Sequence, residues 1–258
     1  MVFSGASVPP PRCATILGYG HMRATLSQIY ALLLAAQLAH AATPTQDEVM
    51  ARAAILYGGR MAEHVIDRDA QFTARVRTIA GVLIAQARRD YPETANWAWE
   101  IHTTDDSEQS ADCMAGGKIL VSKPYVDRLG LNDAELAMLL AHEIEHAALH
   151  HNLKEYEAAL RLEPAWEQRP FIELEHAVDH DRGLMGKLAA LNYAQEEEAD
   201  REGLRLAWRA GWPAERLAGY FRKMMRASDW PRLSKADYPS PALRWRAAQA
   251  VAADLQKK

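Results

Sequence analysis

The stretch Leu139-Leu140-Ala141-His142-Glu143-Ile144-Glu145-His146 is the part of the chain from which the rest can be interpreted. Residues four apart on an α-helix lie on one face, so His142 and His146 can offer their imidazoles to one metal ion. Glu143 projects beside them, where it can hold a water molecule. Two neutral nitrogen ligands and a carboxylate base are the components of a zinc hydrolase site. The alternative, three surface residues, is disfavoured because the flanking residues are apolar and buried histidines need partners.

The same helix also sets limits on the remaining ligands. Asn132 is predicted to cap it, with Glu135 three residues on completing a capping box. His150 lies four residues past His146, on the same face. Three histidines in line cannot converge on a tetrahedral ion, however, because the outer pair is two turns apart. A third ligand is therefore expected from another element.

An acidic run at residues 195–201 supplies candidates for that ligand, and it is predicted to open a helix. Glu196 and Asp200 are four apart and share a face. One carboxylate can bind the metal while the other accepts the free N–H of a liganding imidazole. The alternative is an acidic first turn that complements the helix dipole, which accounts well for Glu197 and Glu198.

Composition excludes several classes of protein. The chain has 258 residues, 49% hydrophobic and 25% charged, which suffices for a globular core. A net charge of −4 leaves no basic surface for nucleic acid. The two cysteines, Cys13 and Cys113, exclude a disulfide framework and a cysteine-type zinc site.

The N-terminal residues are predicted to be a targeting segment. Met22-Arg23 opens a short basic region, residues 29–36 are apolar but too few to span a bilayer, and Ala39-His40-Ala41 is typical of a cleavage site. We therefore expect a start at Met22, a signal peptide within residues 1–41, a single domain at 42–258, and a periplasmic or secreted protein. The alternative is a retained membrane anchor.

The rest of the pattern predicts an α+β, mostly helical fold with a small antiparallel sheet beside the metal helix. A capping box at Thr45–Glu48 starts a helix that Gly58-Gly59 is expected to interrupt. Further predicted elements are a helix at 69–89, a strand at 96–102, a hairpin at 111–121 that turns at Gly116-Gly117, and helices from Pro213 and Ser240-Pro241. The charged segment 153–190 is a candidate plug.

These motifs resemble those of the gluzincin metallopeptidases that include HtpX-like membrane proteases, CAAX prenyl endopeptidases and their soluble periplasmic relatives. The resemblance covers residues 45–255. Residues 141–146 with His151 are similar to the family's zinc helix, and Glu196-x-x-Ala199-Asp200 is similar to its Glu-x-x-Ala-Asp motif. The resemblance implies a zincin-like fold, one Zn²⁺ per chain, Glu196 as third ligand and Asp200 as support for a ligand histidine.

Two further motifs concern the substrate. Residues 115–121 resemble the family's Pro-Gly-Gly-x-Ile hairpin, which implies an edge strand that binds extended substrate through Gly116, Gly117, Lys118 and Ile119. Tyr238-Pro239 with Arg244 resembles a late His-Pro-x-x-x-x-Arg motif, with tyrosine in place of histidine.

A phenol at position 238 can donate a hydrogen bond to an oxyanion, so Tyr238 is predicted to be catalytic. The alternative is that it only packs the loop before Pro239.

The function expected from these motifs is a zinc-dependent endopeptidase that cleaves extended or misfolded protein segments in the cell envelope. Two alternatives stay open. One is a chaperone-like assembly factor whose protease site is mostly closed. The other is a structural zinc module, disfavoured because such sites usually have four protein ligands. Peripheral association with the envelope is a further expectation.

Overall fold

A computed structural model describes residues 43–63, 66–107 and 109–257. The predicted signal peptide lies outside these residues. The helices are α1 Gln46–Glu63, α2 Ala70–Asp90, α3 Lys123–Leu129, α4 Asp133–Ala148, α5 His151–Leu162, α6 Phe171–His180, α7 Arg182–Arg209, α8 Ala214–Ala227 and α9 Pro241–Leu255. The strands are β1 Glu100–Thr104, β2 Ala111–Met114 and β3 Lys118–Ser122, and single 3₁₀ turns occupy Pro92–Asn96 and Pro164–Gln168. The predicted α+β, mostly helical fold is confirmed.

Helix α4 is the centre of the main core. Its first turn is closed by the predicted capping box, in which Glu135 N donates to Asn132 Oδ1 at 3.1 Å and Asn132 N donates to Glu135 Oε2 at 2.9 Å. Its apolar residues Leu136, Met138 and Leu140 are fully buried. It packs against α2, α7, α8 and strand β2. The metal-motif residues are therefore held on a rigid, desolvated helix.

The sheet is mixed, which corrects the expectation of an antiparallel sheet. Its strand order is β1-β3-β2, with β3 parallel to β1 and antiparallel to β2. The hairpin inserts β3 beside β1, so β3 has a partner on both edges and the edge strands are β1 and β2. The outer side of β1 bonds to the segment before α2 through Ile66 and Asp67, whereas β2 lines the cleft. Alternation of apolar residues predicts strands but carries no information about which strands become neighbours.

The structure also corrects two predicted helix boundaries. Gly58-Gly59 does not interrupt α1, because the helix is held along its length by buried Val49, Ala53 and Tyr57. The hydroxyl of Tyr57 donates to the Ile119 carbonyl at 2.6 Å. The second boundary is that of α7, which begins at Arg182 after the N-cap Asp181. The acidic run 195–201 therefore lies in mid-helix, where complementing a helix dipole does not explain it.

The candidate plug, residues 153–190, is folded around a second core. Most of α5, the 3₁₀ turn, α6 and the start of α7 bury apolar side chains there, among them Tyr156, Leu160, Trp166, Leu174 and Leu188. Arg52 of α1 forms an ion pair with Glu175 of α6 at 2.5 Å. The segment is thus a packed wall of the protein that contacts α1.

Within the described part of the chain, we find no helix with the length and apolar character needed to span a membrane.

Candidate metal centre and active-site cleft

Three side chains from α4 and α7 converge on one point. The Nε2 atoms of His142 and His146 lie 3.2 Å apart. Glu196 Oε1 is 3.3 Å from the His146 nitrogen, and Glu196 Oε2 is 3.6 Å from the His142 nitrogen. All of these ligand atoms lie within 4.8 Å of one another. The structure therefore brings together the three ligands expected from the sequence and the family resemblance.

This donor set fits a divalent cation. Glu196 Oε2 is buried and has no hydrogen-bond partner among the described residues. The Arg244 guanidinium lies 3.4 Å from this oxygen without donating a hydrogen bond to it. A cation bound between Glu196 and the two imidazole nitrogens would supply the direct partner that the oxygen lacks. Two histidines and one carboxylate make the set of three protein ligands typical of catalytic zinc, which keeps a further position open.

Two buried charged side chains, Asp200 and Arg244, orient His142. Its Nδ1 lies 3.0 Å from Asp200 Oδ1, which leaves Nε2 to face the metal position. Arg244 makes a bidentate contact with Asp200, Nε to Oδ2 at 2.7 Å and Nη2 to Oδ1 at 2.5 Å. Its Nη1 also lies 3.4 Å from Glu196 Oε2. One buried arginine therefore restrains both the third ligand and the support of the first.

The electrostatics keep the carboxylates ionised. Burial opposes ionisation of Glu196, but the contact with His146 and the charges of His142 and Arg244 hold its pKa at about 2. Burial likewise opposes ionisation of Asp200, and the Arg244 charge lowers its pKa below the ordinary range. Both groups are thus ionised at neutral pH, Glu196 facing the cation position and Asp200 facing Nδ1 of His142.

Glu143 is in a different environment from Glu196. It lines the same cleft but is not one of the converging ligands. Burial raises the pKa of Glu143 to about 8, opposed by the charge of His142 and reinforced by Asp112 and Glu196. A cation bound by the neighbouring ligands would lower this pKa again and favour the ionised form of Glu143, which can take a proton from water.

A close approach of two helices makes this geometry possible, and the sequence interpretation missed it. A Cβ on Gly203 of α7 would lie 2.8 Å from the backbone nitrogen of His142. The backbones of α4 and α7 therefore come together where the ligands are carried, and any larger residue would push them apart. A glycine inside a helical pattern was the available signal.

The cleft has a volume of about 540 Å³. Its walls come from α1, β2, α4, α5, α6, α7 and the loop before α9, including Val49, Arg60, Cys113, Glu143, Tyr156, Glu175, Asn192 and Tyr238. The cleft thus extends from the metal position to the edge strand β2 and is large enough for a peptide segment.

The predicted substrate strand must be reassigned. Gly116 and Gly117 form the turn, while Lys118 and Ile119 belong to the central strand β3, which has no free edge. Lys118 is 7% exposed and donates to the Ala98 carbonyl at 2.6 Å. These four residues are therefore not placed to pair with a substrate.

Strand β2 offers the available main-chain groups. Ser122 N donates to the Ser110 carbonyl at 2.8 Å, which makes this pair a hydrogen-bonded one. Pairs alternate in an antiparallel ladder, so Asp112 also bonds inward to β3 while Ala111 and Cys113 present N–H and C=O outward. Cys113 has a buried side chain and lines the cleft.

Tyr238 lies in the cleft with the ligands, and its ring is 4.6 Å from the Arg244 guanidinium. This position is compatible with a catalytic role for Tyr238 and with a packing role alone, because the ring packs on a buried cation while the side chain lines the cleft.

His150 is not near the metal position. It adopts a left-handed backbone conformation at the end of α4 and faces Trp97 and Glu93.

Comparison with known proteins agrees with this geometry. The model of Peptidase family M48 matches residues 70–253. The beta-barrel assembly-enhancing protease of Yersinia pestis is 25% identical over 170 residues, which cover 60% of this chain and 33% of that protein. The chain thus spans about a third of the length of that relative. Because the family match covers most of the chain and includes the helices that carry His142, His146 and Glu196, the chain belongs to Peptidase family M48, a family of metallopeptidases.

Proposed function

We propose that this protein is a zinc-dependent endopeptidase that cleaves extended or misfolded protein segments in the cell envelope. The observation that carries the proposal is the convergence of His142, His146 and Glu196 in a cleft that Glu143 and strand β2 also line. A structural metal site is usually closed by four protein ligands. Here three ligands and a base face open space, which favours catalysis.

In the proposed reaction, each residue of the site would have a distinct role. Bound zinc would act as a Lewis acid toward the scissile carbonyl and the attacking water. Glu143 would take the proton from that water as it attacks the carbonyl carbon, and would then deliver the proton to the leaving amine. Asp200 and Arg244 would hold His142 and Glu196 in place throughout.

Substrate recognition would rest on main-chain pairing. An extended peptide added to the outer edge of β2 would bond to the outward-facing groups of Ala111 and Cys113. Such pairing forms hydrogen bonds with the main chain of the substrate and not with its side chains, so weak sequence preference is expected. It also requires a substrate segment that is not already folded.

Metal removal tests the proposed activity directly. We expect the protein to hydrolyse a denatured protein such as unfolded casein, to lose this activity on treatment with a chelator, and to regain it when Zn²⁺ is restored. The measurement is the appearance of new amino termini over time. Hydrolysis unchanged by the chelator would contradict the proposal. Absence of hydrolysis together with suppressed aggregation of the substrate would favour the chaperone-like alternative.

Tyr238→Phe tests the second predicted catalytic group. If the phenol donates to the oxyanion, the variant should keep zinc and fold but lower kcat by about 10²–10³. Tyr193→Phe on α7 is the matched control, because Tyr193 is also half-buried and does not line the cleft. Steady-state kinetics on one peptide would compare the two variants. A Tyr238→Phe kcat within a few-fold of the parent would show that Tyr238 only packs against Arg244.

A periplasmic or secreted location is part of the proposal. It is supported by the signal-peptide pattern in residues 22–41 and by the similarity to the beta-barrel assembly-enhancing protease of Yersinia pestis. Peripheral association with the envelope is supported by Trp230 and Leu233, which are 71% and 63% exposed on a loop that also exposes Arg232. Cell fractionation and sequencing of the mature N-terminus would test both. A cytoplasmic protein with an intact N-terminus would contradict the proposal.

A further inference from the structure

His151 contacts a metal ligand from outside the metal centre. It is the first residue of α5 and is 3% exposed. Its Nδ1 lies 2.9 Å from Nδ1 of His146, and the two rings meet edge-on with centroids 4.8 Å apart. Its other nitrogen, Nε2, lies 3.3 Å from Glu198 Oε2 on α7. The three side chains thus form a continuous series that ends at the surface carboxylate.

We propose that His151 and Glu198 are positioning residues for the metal ligand His146. In this arrangement His146 Nδ1–H donates to His151 Nδ1, and His151 Nε2–H donates to the Glu198 carboxylate. The proposal rests on the proposed function, because it concerns how this chain holds its zinc ligand.

The positions of the protons follow from the ligand role. His146 turns Nε2 toward Glu196 and His142, so a cation bound there requires the His146 proton on Nδ1. In the described residues the acceptor facing that proton is His151 Nδ1. His151 must then carry its own proton on Nε2, where Glu198 accepts it. The reverse direction would put a proton on His146 Nε2 and remove its ability to bind a metal.

The backbone is shaped to make this contact. On a continuous helix, position 151 would lie about 140° around the axis from position 146 and face away from it. His150 instead adopts φ 55° and ψ 40°, which ends α4 and starts α5 in a new direction. Gln195 Nε2 then donates to the His151 carbonyl at 3.2 Å, tying the start of α5 to α7. A left-handed conformation is costly for a residue other than glycine, so the turn serves a specific arrangement.

The two histidine ligands are therefore supported differently. His142 faces a buried carboxylate that is paired with Arg244. His146 faces an imidazole whose own carboxylate partner, Glu198, is partly exposed. Contacts of this kind orient a ligand and typically change metal affinity by about 10–100-fold when they are lost.

A pair of variants separates hydrogen bonding from packing. His151→Asn keeps an acceptor, because its Oδ1 is the same number of bonds from the backbone as His151 Nδ1. His151→Leu keeps the bulk but has no acceptor. Zinc affinity is measured by competition with a chromophoric chelator, without substrate, and thermal unfolding of the metal-free proteins checks the fold. We expect His151→Leu to lose about 10–100-fold in zinc affinity and His151→Asn to retain most of it.

Neighbouring residues provide the controls. His150→Gly removes the adjacent imidazole, which faces Trp97, and keeps the left-handed backbone, which glycine adopts without strain. Glu197→Gln alters the carboxylate beside Glu198 on the exposed side of α7. Both should bind zinc like the parent, while Glu198→Ala should weaken binding.

Equal losses in the Leu and Asn variants, or none in His151→Leu, would overturn the positioning role while leaving the proposed function intact. A parent chain that binds no zinc would overturn the proposed function itself.

Discussion

Glu143→Gln is expected to keep about one zinc per chain and to lose nearly all peptidase activity. The substitution preserves the shape of the side chain and removes its ability to take a proton. A general base contributes about 10²–10⁴-fold to the rate, so kcat should fall by at least this range. Zinc content should be unchanged because Glu143 is not one of the three converging ligands.

The experiment has an internal control two residues along the same helix. Glu145 is fully buried, and its Oε2 accepts from the hydroxyl of Tyr91 at 2.7 Å, on the side of α4 away from the cleft. Glu145→Gln therefore makes the same chemical change without touching the site. It should leave kcat within a few-fold of the parent. Turnover of Glu143→Gln close to that of Glu145→Gln would remove Glu143 from the mechanism.

The features predicted well from the sequence are those that depend on local periodicity. A four-residue spacing on a helix places two imidazoles on one face wherever that helix lies, so His142 and His146 could be paired without knowing the fold. The capping box at Asn132 and Glu135 is likewise a local pattern, and the structure contains it. The family resemblance selected Glu196 over Asp200 as the third ligand, and this residue lies on α7, 50 residues after His146.

The features that were predicted wrongly depend on neighbours distant in the chain. Which strand ends at the edge of the sheet is set by the insertion of β3 between β1 and β2, and no residue pattern in the hairpin reports this. The start of α7 was placed too late, because acidic residues resemble a first helical turn and the true N-cap, Asp181, lies 15 residues earlier than Glu196.

The contact between His151 and His146 could not be predicted from the sequence either. It depends on the left-handed backbone of His150, which a histidine in the sequence does not predict.

Glu196→Ala is expected to cause the largest loss of metal. The side chain supplies one of three ligands, and its two oxygens face both histidine nitrogens. Zinc affinity should therefore fall by more than the roughly 100-fold that marks the upper end for residues that only support a ligand. Asp200→Asn, which weakens such a support, should fall within about 10–100-fold. Glu197→Ala should bind zinc like the parent, because Glu197 is exposed beside the site.

Thermal unfolding provides a second measure of the same loss, because a metal that binds only the folded chain stabilises it. At a free zinc concentration 100 times the Kd, this stabilisation is about 2.7 kcal/mol. The parent and Glu197→Ala should therefore melt at a higher temperature with zinc than with chelator, whereas Glu196→Ala should show little difference at the same zinc concentration. If Glu196→Ala kept full zinc and the full thermal shift, the third ligand would lie elsewhere, and the orphaned Oε2 atom of Glu196 would need another partner.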